Sequence, residues 1–489
     1  MIFLVNFGCI VHLLRTSYFV LCYGVSECSD LNEFNFMRKR ILMILLAALL
    51  FAVVIVVCVL RWDAWFSNPA EAAYIVPQQP NNIILGFGDN YRQRTISWRS
   101  PDLQESVLLI DGDTIIADGK IIASRSGEAA FYRAKTSDLS VGEHRYSVKT
   151  GEMQSQEYSF VIQDDSLAYF LLFGDIQEQD TISPFATFCS DFQCNESQEC
   201  NALPLFFAYI GDVIDRPTDV AWQIWFNSLH GINATTAHIA AVGNHEYLKG
   251  VSPKIDPRWT SVFSLPDNGS ERQEGTTGYI DFPTFRLIVL NTQDLVGLSD
   301  YTIEQTWLNR ALSEVEDKFK IVLMHHSVYS GAMQRENPLI FTAFRRTLSK
   351  ADIVVAGHDH LYTRRANKSE KVENVSERSF VFSTPVFIIT GTASKQYLPK
   401  CSPADQRLGS NTAFYEEFFI TSDTLRVLTR NIKDGSVYDD LVINRRSRIV
   451  VFSDSLPDEQ ISLPERYQGK NNVHIRRFEN RLKARSNAK

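Results

Sequence analysis

Ile321-Val322-Leu323-Met324-His325-His326-Ser327 is an apolar run of strand length that breaks off into two adjacent imidazoles. The same grammar recurs on both sides of it. Residues 169–173 lead into Gly174-Asp175-Ile176-Gln177, 205–210 into Gly211-Asp212-Val213-Ile214-Asp215-Arg216, 239–242 into Gly243-Asn244-His245-Glu246, and 353–356 into Gly357-His358-Asp359-His360. Apolar runs at 285–290 and 386–389 complete the series. Nearly continuous apolar strands belong to sheets covered on both faces. Between them lie helical candidates. Residues 221–232 carry Trp222, Trp225, Phe226 and Leu229 at three-to-four spacing, 304–315 carry Trp307, Leu308, Leu312 and Val315, and 339–348 form a third. The alternation predicts an α/β domain over 167–446, closed by β structure at 415–421, 424–429 and 437–443.

In open α/β sheets the ligand crevice lies outside the carboxyl ends of the strands. One strand ending in Gly-Asp is an ordinary turn. Five strands that end in Asp, Asp, Asn, His and His-x-His are not explained by turns. Two carboxylates, one amide and three imidazoles make a mixed oxygen and nitrogen set. It suits zinc, iron or manganese rather than calcium, which takes oxygen alone. Two such ions about 3.5–4 Å apart share a bridging carboxylate, generate hydroxide from water and clamp a phosphoryl group.

Upstream the character changes. Residues 81–163 hold short β-prone runs separated by Gly and Asp turns, with no helical period, and read as a small all-β sandwich. Residues 63–80, with Pro69, Pro77 and Pro80, read as a linker. Residues 37–62 open with Met37-Arg38-Lys39-Arg40 and continue as an unbroken apolar run over 41–60. Such a run matches the roughly 30 Å of hydrocarbon in a bilayer. It reads as a transmembrane signal anchor, and its basic N-terminal flank places the rest of the chain on the non-cytoplasmic side, periplasmic or extracellular. Residues 1–36 are mixed in character, and Met37 opens a more typical anchor than Met1 does, so they read as an N-terminal extension ahead of the translated protein. Residues 447–489 end basic and polar and read as a solvated tail. The 489 residues are 45% hydrophobic and 22% charged, with net charge −8, which excludes a disordered chain and a basic nucleic-acid binder. Cys189, Cys194, Cys200 and Cys401 lack zinc-site spacing and fit disulfides in an oxidising compartment.

The ordered set GDIQ, GDVID, GNHE, VLMHHS and GHDH resembles the calcineurin-like metallophosphoesterase superfamily. It is most similar to the purple acid phosphatase branch, whose motifs are GDxG, GDxxY, GNHE, VxxH and GHxH. The resemblance covers about 168–446, includes Gln305-x-Trp307-Leu308 after the third motif, and extends weakly to 81–163 as a fibronectin-III-like domain. It implies a two-sheet α/β sandwich holding two metal ions. Asp175, Asp212 and His360 would hold the first, with Asp212 bridging, and Asn244, His325 and His358 the second. His245 would face the leaving oxygen as general acid, and His326 would line the substrate side. Glu246 and Asp359 would orient imidazoles. Two departures stand out. Asp215 occupies the position of the tyrosine that colours the family purple, so this protein should be colourless. Gln177 replaces a glycine; its carbonyl oxygen or the Asp215 carboxylate could supply a further ligand, and Gln177 is the favoured one. Asp215 then stands behind it, and Arg216 is set against phosphate.

The expected function is a membrane-anchored phosphoesterase that hydrolyses small phosphate esters by attack of hydroxide generated at the metal pair. The alternative is a surface-anchored binding or adhesion protein whose metallophosphoesterase domain is inactive.

Overall fold

The computed structural model describes residues 31–489 apart from 69, 164–166, 178–182, 196–202, 296, 375–376, 394, 454 and 489. Residues 1–30, Cys200 and most of the expected N-terminal extension therefore lie outside the described residues.

The segment read as a sandwich begins with Asn81–Phe87 (β1), Arg94–Ser100 (β2) and Ser106–Ile110 (β3). It continues with Asp118–Ser124 (β4), Gly127–Lys135 (β5), Gly142–Thr150 (β6) and Tyr158–Ile162 (β7). Strands β3, β6 and β7 pair in one sheet, and β1, β2, β5 and β4 in the other. Trp98, Leu108, Tyr132, Tyr146 and Val148 are buried in their shared core. Strand β1 also pairs in parallel with a strand of the next domain, Leu85 opposite Ala237, so one sandwich sheet runs on into the sheet of that domain.

That larger domain is built from two layers. The first contains Ala168–Phe173 (β8), Phe206–Ile210 (β9) and Ala237–Ala241 (β10), mutually parallel. The second contains Phe285–Leu290 (β11), Phe319–Met324 (β12) and Ile353–Ala356 (β13), also parallel. The long hairpin Tyr362–Asn374 (β14) and Glu377–Ile389 (β15) extends the second layer. The meander Phe414–Ile420 (β16), Thr424–Asn431 (β17) and Val437–Asn444 (β18) extends the first, β16 running antiparallel to β8.

Side chains alternate across a strand, and here both faces are apolar. Phe170, Leu172, Phe206, Ala208 and Ile210 turn inward against Leu287, Val289, Ile321, Leu323 and Val355. Leu171, Phe173, Phe207 and Tyr209 turn outward, against Trp222 and Trp225. On the other layer Ile288, Leu290, Val322 and Met324 pack against Trp307, Leu308 and Phe344. This double coverage is why these strands read as unbroken apolar runs.

Five helices are referred to below: Leu31–Leu60 (α1), Asp219–Ser228 (α2), Leu298–Ser313 (α3), Pro338–Phe344 (α4) and Val473–Ala488 (α5). Thr218 caps α2 by accepting from the Ala221 N–H at 3.2 Å. Helix α3 starts before the expected residue 304, because its first turn, with Leu298 81% exposed, carries no apolar period to reveal it. Helix α4 begins at a proline, which suits a first helical position.

The N-terminal unit contains α1, whose stretch Phe36–Leu60 is long and apolar enough to cross a membrane and has none of its most apolar window buried.

Three expectations are corrected. Residues 447–489 are not a solvated tail. Ile449–Phe452 (β19) pairs with both β15 and β18, joining the two layers, and α5 buries Ile475 and Phe478 beside Leu398 and Leu408. Those apolar positions were masked by the basic residues between them. Residues 70–80 are not a free linker either. Glu71 accepts from Arg258 Nη1 at 3.3 Å and from the Asp219 N–H, and Val76 packs on Ile122 and Phe131. Finally, among the described residues Cys401 is a free thiol rather than half of a disulfide, and burial pushes its pKa up to about 11.

Candidate metal centre

Strands β8, β9, β12 and β13 end at the same rim, and the loop after β10 joins them. Four of the expected residues there leave their strand in left-handed backbone: Asp175 at φ 51°, Asp212 at 52°, His358 at 72° and His360 at 51°. Gln177 does the same at 41°. Such conformations cost non-glycine residues on the order of 1–2 kcal/mol each and collect at functional sites. Backbones approach closely here as well. A Cβ on Gly357 would lie 2.8 Å from Asp175 Oδ2.

The expected ligands converge. Asn244 Oδ1 lies 3.1 Å from His325 Nε2 and 2.9 Å from His358 Nδ1, and those two nitrogens are 3.2 Å apart. Asp212 Oδ2 is 3.3 Å from the same His325 Nε2. Asp175 Oδ1 is 3.5 Å from His360 Nε2 and accepts from the His358 N–H at 2.9 Å, while its buried Oδ2 has no hydrogen-bond partner. Two groups of ligand atoms, those of Asp175, Asp212 and His325 and those of His325, His326 and His358, each lie within 4.8 Å of one another.

Tautomers follow from the outer partners. His325 Nδ1 donates to the Ile210 carbonyl at 2.9 Å, and His360 Nδ1 donates to the Lys395 carbonyl at 2.9 Å. A carbonyl only accepts, so when each ring is neutral its Nε2 turns a lone pair inward, as a metal ligand requires. His325 Nε2 and Asn244 Oδ1 then oppose lone pair to lone pair, and the Asp175 Oδ2 stays unpaired. A bound cation would satisfy this donor set.

The electrostatics of the cluster divide, its carboxylates holding a proton on His325 while burial keeps the other imidazoles neutral. Burial pushes Asp175 up to about 7 despite the nearby His325. Burial also acts to raise Asp212, but His325 and His245 outweigh it and hold the carboxyl well below the usual range. Burial acts to lower His325, but Asp212 and Asp175 outweigh it and lift the ring to about 9. Burial pushes His326 and His360 down to about 3, and His358 further, keeping three imidazoles neutral and ready to coordinate.

The remaining expected residues divide. His245 is half-buried; its Nδ1 donates to the Asp215 carbonyl, and its Nε2 lies 3.9 Å from Asp212 Oδ2, on the open side of the cluster. His326 meets Thr292 Oγ1 at 3.0 Å, and its ring lies tilted by 57° to that of His358, centroids 4.5 Å apart. Gln177 joins the cluster, but its Nε2 donates to Asp212 Oδ2 at 2.6 Å, so the amide nitrogen and not the expected carbonyl oxygen faces the Asp212 carboxylate. Arg216 is not turned to the cluster; its side chain is exposed and its Nε donates to Asp215 Oδ2 at 3.0 Å. Glu246 and Asp359 orient backbone rather than imidazoles. Glu246 Oε2 accepts from the N–H groups of Asp212 and Gly243, and Asp359 Oδ2 from those of Gly331 and Ala332. The sequence reading missed Thr292, whose signal is the polar Asn291-Thr292 pair after β11. It also missed Arg335, Lys395 and Tyr397, which no strand ending announces.

Comparison with known proteins bears on the same region. Residues 168–362 match the family model of the calcineurin-like phosphoesterases. A purple acid phosphatase of Glycine max is 28% identical over 170 residues, 32% of this chain and 35% of that protein, so the match spans about a third of the relative's length. The structure of a purple acid phosphatase from seeds of yellow lupin (Lupinus luteus) superposes with TM-score 0.60 at 17% identity, covering 76% of this chain and 75% of that one. PhoD superposes at 0.51 and 10% identity, covering 85% and 99%. These structural likenesses speak for the fold.

Proposed function

We propose that this protein is a two-metal phosphoesterase acting on small phosphate esters, a reading supported by the match of residues 168–362 to the calcineurin-like phosphoesterase model and by the likeness to purple acid phosphatases. The observation that carries the reading is the meeting of Asn244 Oδ1, His325 Nε2 and His358 Nδ1 within 3.2 Å of one another, beside the unpartnered Asp175 Oδ2. Asp175, Asp212 and His360 would hold one ion and Asn244, His325 and His358 the other, with Asp212 between them. When bound, such ions neutralise phosphoryl charge and make water a nucleophile near neutral pH.

The chain's own groups would do the rest. Gln177 holds the Asp212 carboxylate in place by its N–H. His245 keeps its Nδ1–H on the Asp215 carbonyl. When protonated, its Nε2 can therefore hand a proton to a leaving oxygen. His326, neutral through burial, would stand on the substrate side beside His358, held by Thr292 Oγ1. Anchoring through α1 would set the domain on the non-cytoplasmic side, since Arg38, Lys39 and Arg40 flank the N-terminal end of the apolar stretch.

The test is a metal inventory of the purified full chain together with hydrolysis of 4-nitrophenyl phosphate and bis(4-nitrophenyl) phosphate. Two equivalents of metal and chelator-sensitive release of nitrophenol are expected. Well-folded protein that takes up no zinc, iron or manganese, or cleaves neither ester with any of them, would refute the reading.

A further inference from the structure

Four side chains outside the ligand set meet at its edge. The Tyr397 ring stands edge-on to the His360 imidazole, centroids 5.0 Å apart. Three cations surround that ring: the Arg335 guanidinium 4.0 Å from its centroid, the Arg466 guanidinium 5.1 Å, and the Lys395 ammonium 5.6 Å. They come from separate segments: the loop before α4, the loop after β15, and the short 3-10 turn Glu465–Tyr467 in the C-terminal region. Tyr397 and Tyr467 share the cluster that seats α5, so the packing of the C-terminus is what brings Arg466 here.

Like charges gathered in this way repel. The ring quadrupole offsets part of the cost, as does Asp359, whose Oδ1 is 3.5 Å from Arg335 Nε. That nitrogen is buried and makes no hydrogen bond. Among the described residues neither Lys395 nor Arg466 has a carboxylate within 4.0 Å. The Lys395 ammonium lies 3.4 Å from Gln177 Oε1, whose amide nitrogen donates to Asp212, so the rim is one side chain removed from the ligand cluster. With metal bound, the carboxylates of that cluster would be committed to it. Among the described residues the rim therefore sets three cations against the single carboxylate of Asp359.

Resting on the phosphoesterase reading, we propose that Arg335, Lys395 and Arg466 form a second anion subsite beside the ligand cluster, which selects phosphate esters carrying a further phosphate or carboxylate group. Such a contact is made equally in the ground and transition states. It therefore lowers KM and leaves kcat nearly alone.

The experiment uses the metal-loaded full chain and ligands that cannot be hydrolysed. Phenylphosphonate, 4-carboxyphenylphosphonate and 1,4-phenylenediphosphonate are titrated calorimetrically, and phenyl phosphate is compared with 4-carboxyphenyl phosphate for kcat and KM. At least one doubly anionic ligand should bind about tenfold tighter than phenylphosphonate, as a charge-assisted contact allows; which one does tells carboxylate from phosphate. The advantage should shrink to within about twofold in Arg466→Gln and in Lys395→Gln, with the ester effect in KM. If one variant does not fold, the other decides. Equal affinities in the wild type, or an advantage that survives substitution, would overturn the subsite while leaving the phosphoesterase reading intact. Failure to bind any phosphonate together with failure to cleave either ester would overturn both.

Discussion

His325 Nδ1 donates to the carbonyl oxygen of Ile210 across 2.9 Å, and this bond joins the two layers of the domain. Ile210 ends β9 in one layer, and His325 follows β12 in the other. The ligand cluster sits at that seam, so neither layer holds a complete set. The bond also decides which imidazole nitrogen faces the cluster.

Asp212 touches His325, Gln177 and the His245 N–H at once. Asp212→Asn should therefore lower phosphoesterase activity at least about 100-fold. Metal content measured on the same protein should fall with it. Retention of full metal content and activity would refute the bridging role.

Metal bound only by the folded chain stabilises it by mass action, about 2.7 kcal/mol at 100 times the dissociation constant. Chelation should lower the wild-type melting temperature by several degrees and leave that of Asp212→Asn almost unmoved. Calorimetry or dye-monitored melting reads this without any substrate.

Gly211 has φ 89°, and a Cβ there would stand 2.6 Å from His325 Nδ1 and 2.7 Å from the Gly243 nitrogen. Gly211→Ala should cost about 2 kcal/mol or more, from a strained backbone and a displaced imidazole. It should also lower metal affinity. Denaturant unfolding and metal titration measure the two effects separately.

Phe478 on α5 is 1% exposed. Phe478→Ala should destabilise the protein by about 3–5 kcal/mol, the usual cost of emptying a buried phenyl site. A change below about 0.5 kcal/mol is what a solvated tail would give.

His238 is buried, its Nδ1 2.8 Å from the Tyr209 hydroxyl, and burial pushes its pKa down to about 3. A depressed folded-state value means that the unfolded chain takes the proton first. The stability contributed by the neutral ring is complete above about pH 6.5 and is lost as pH falls toward 3. Between pH 7 and pH 4 the loss should be about 3 kcal/mol. Urea unfolding of wild type and His238→Gln across that range should show the steeper slope in the wild type alone.

The α/β layering, the strand endings and the residues that cluster beyond them were legible in the sequence itself. Strands covered on both faces must be apolar throughout, and residues that break such runs with Asp, Asn and His are conspicuous. The cationic rim could be decided only by the tertiary structure, because Arg335, Lys395 and Arg466 sit in loops with no periodicity and meet through packing distant in sequence. The same holds for α5: Ile475 and Phe478 become core residues only once Leu398 and Leu408 are there to receive them. It holds also for Gln177 and Arg216, whose direction depends on which neighbour, Asp212 or Asp215, the folded chain sets within reach of each.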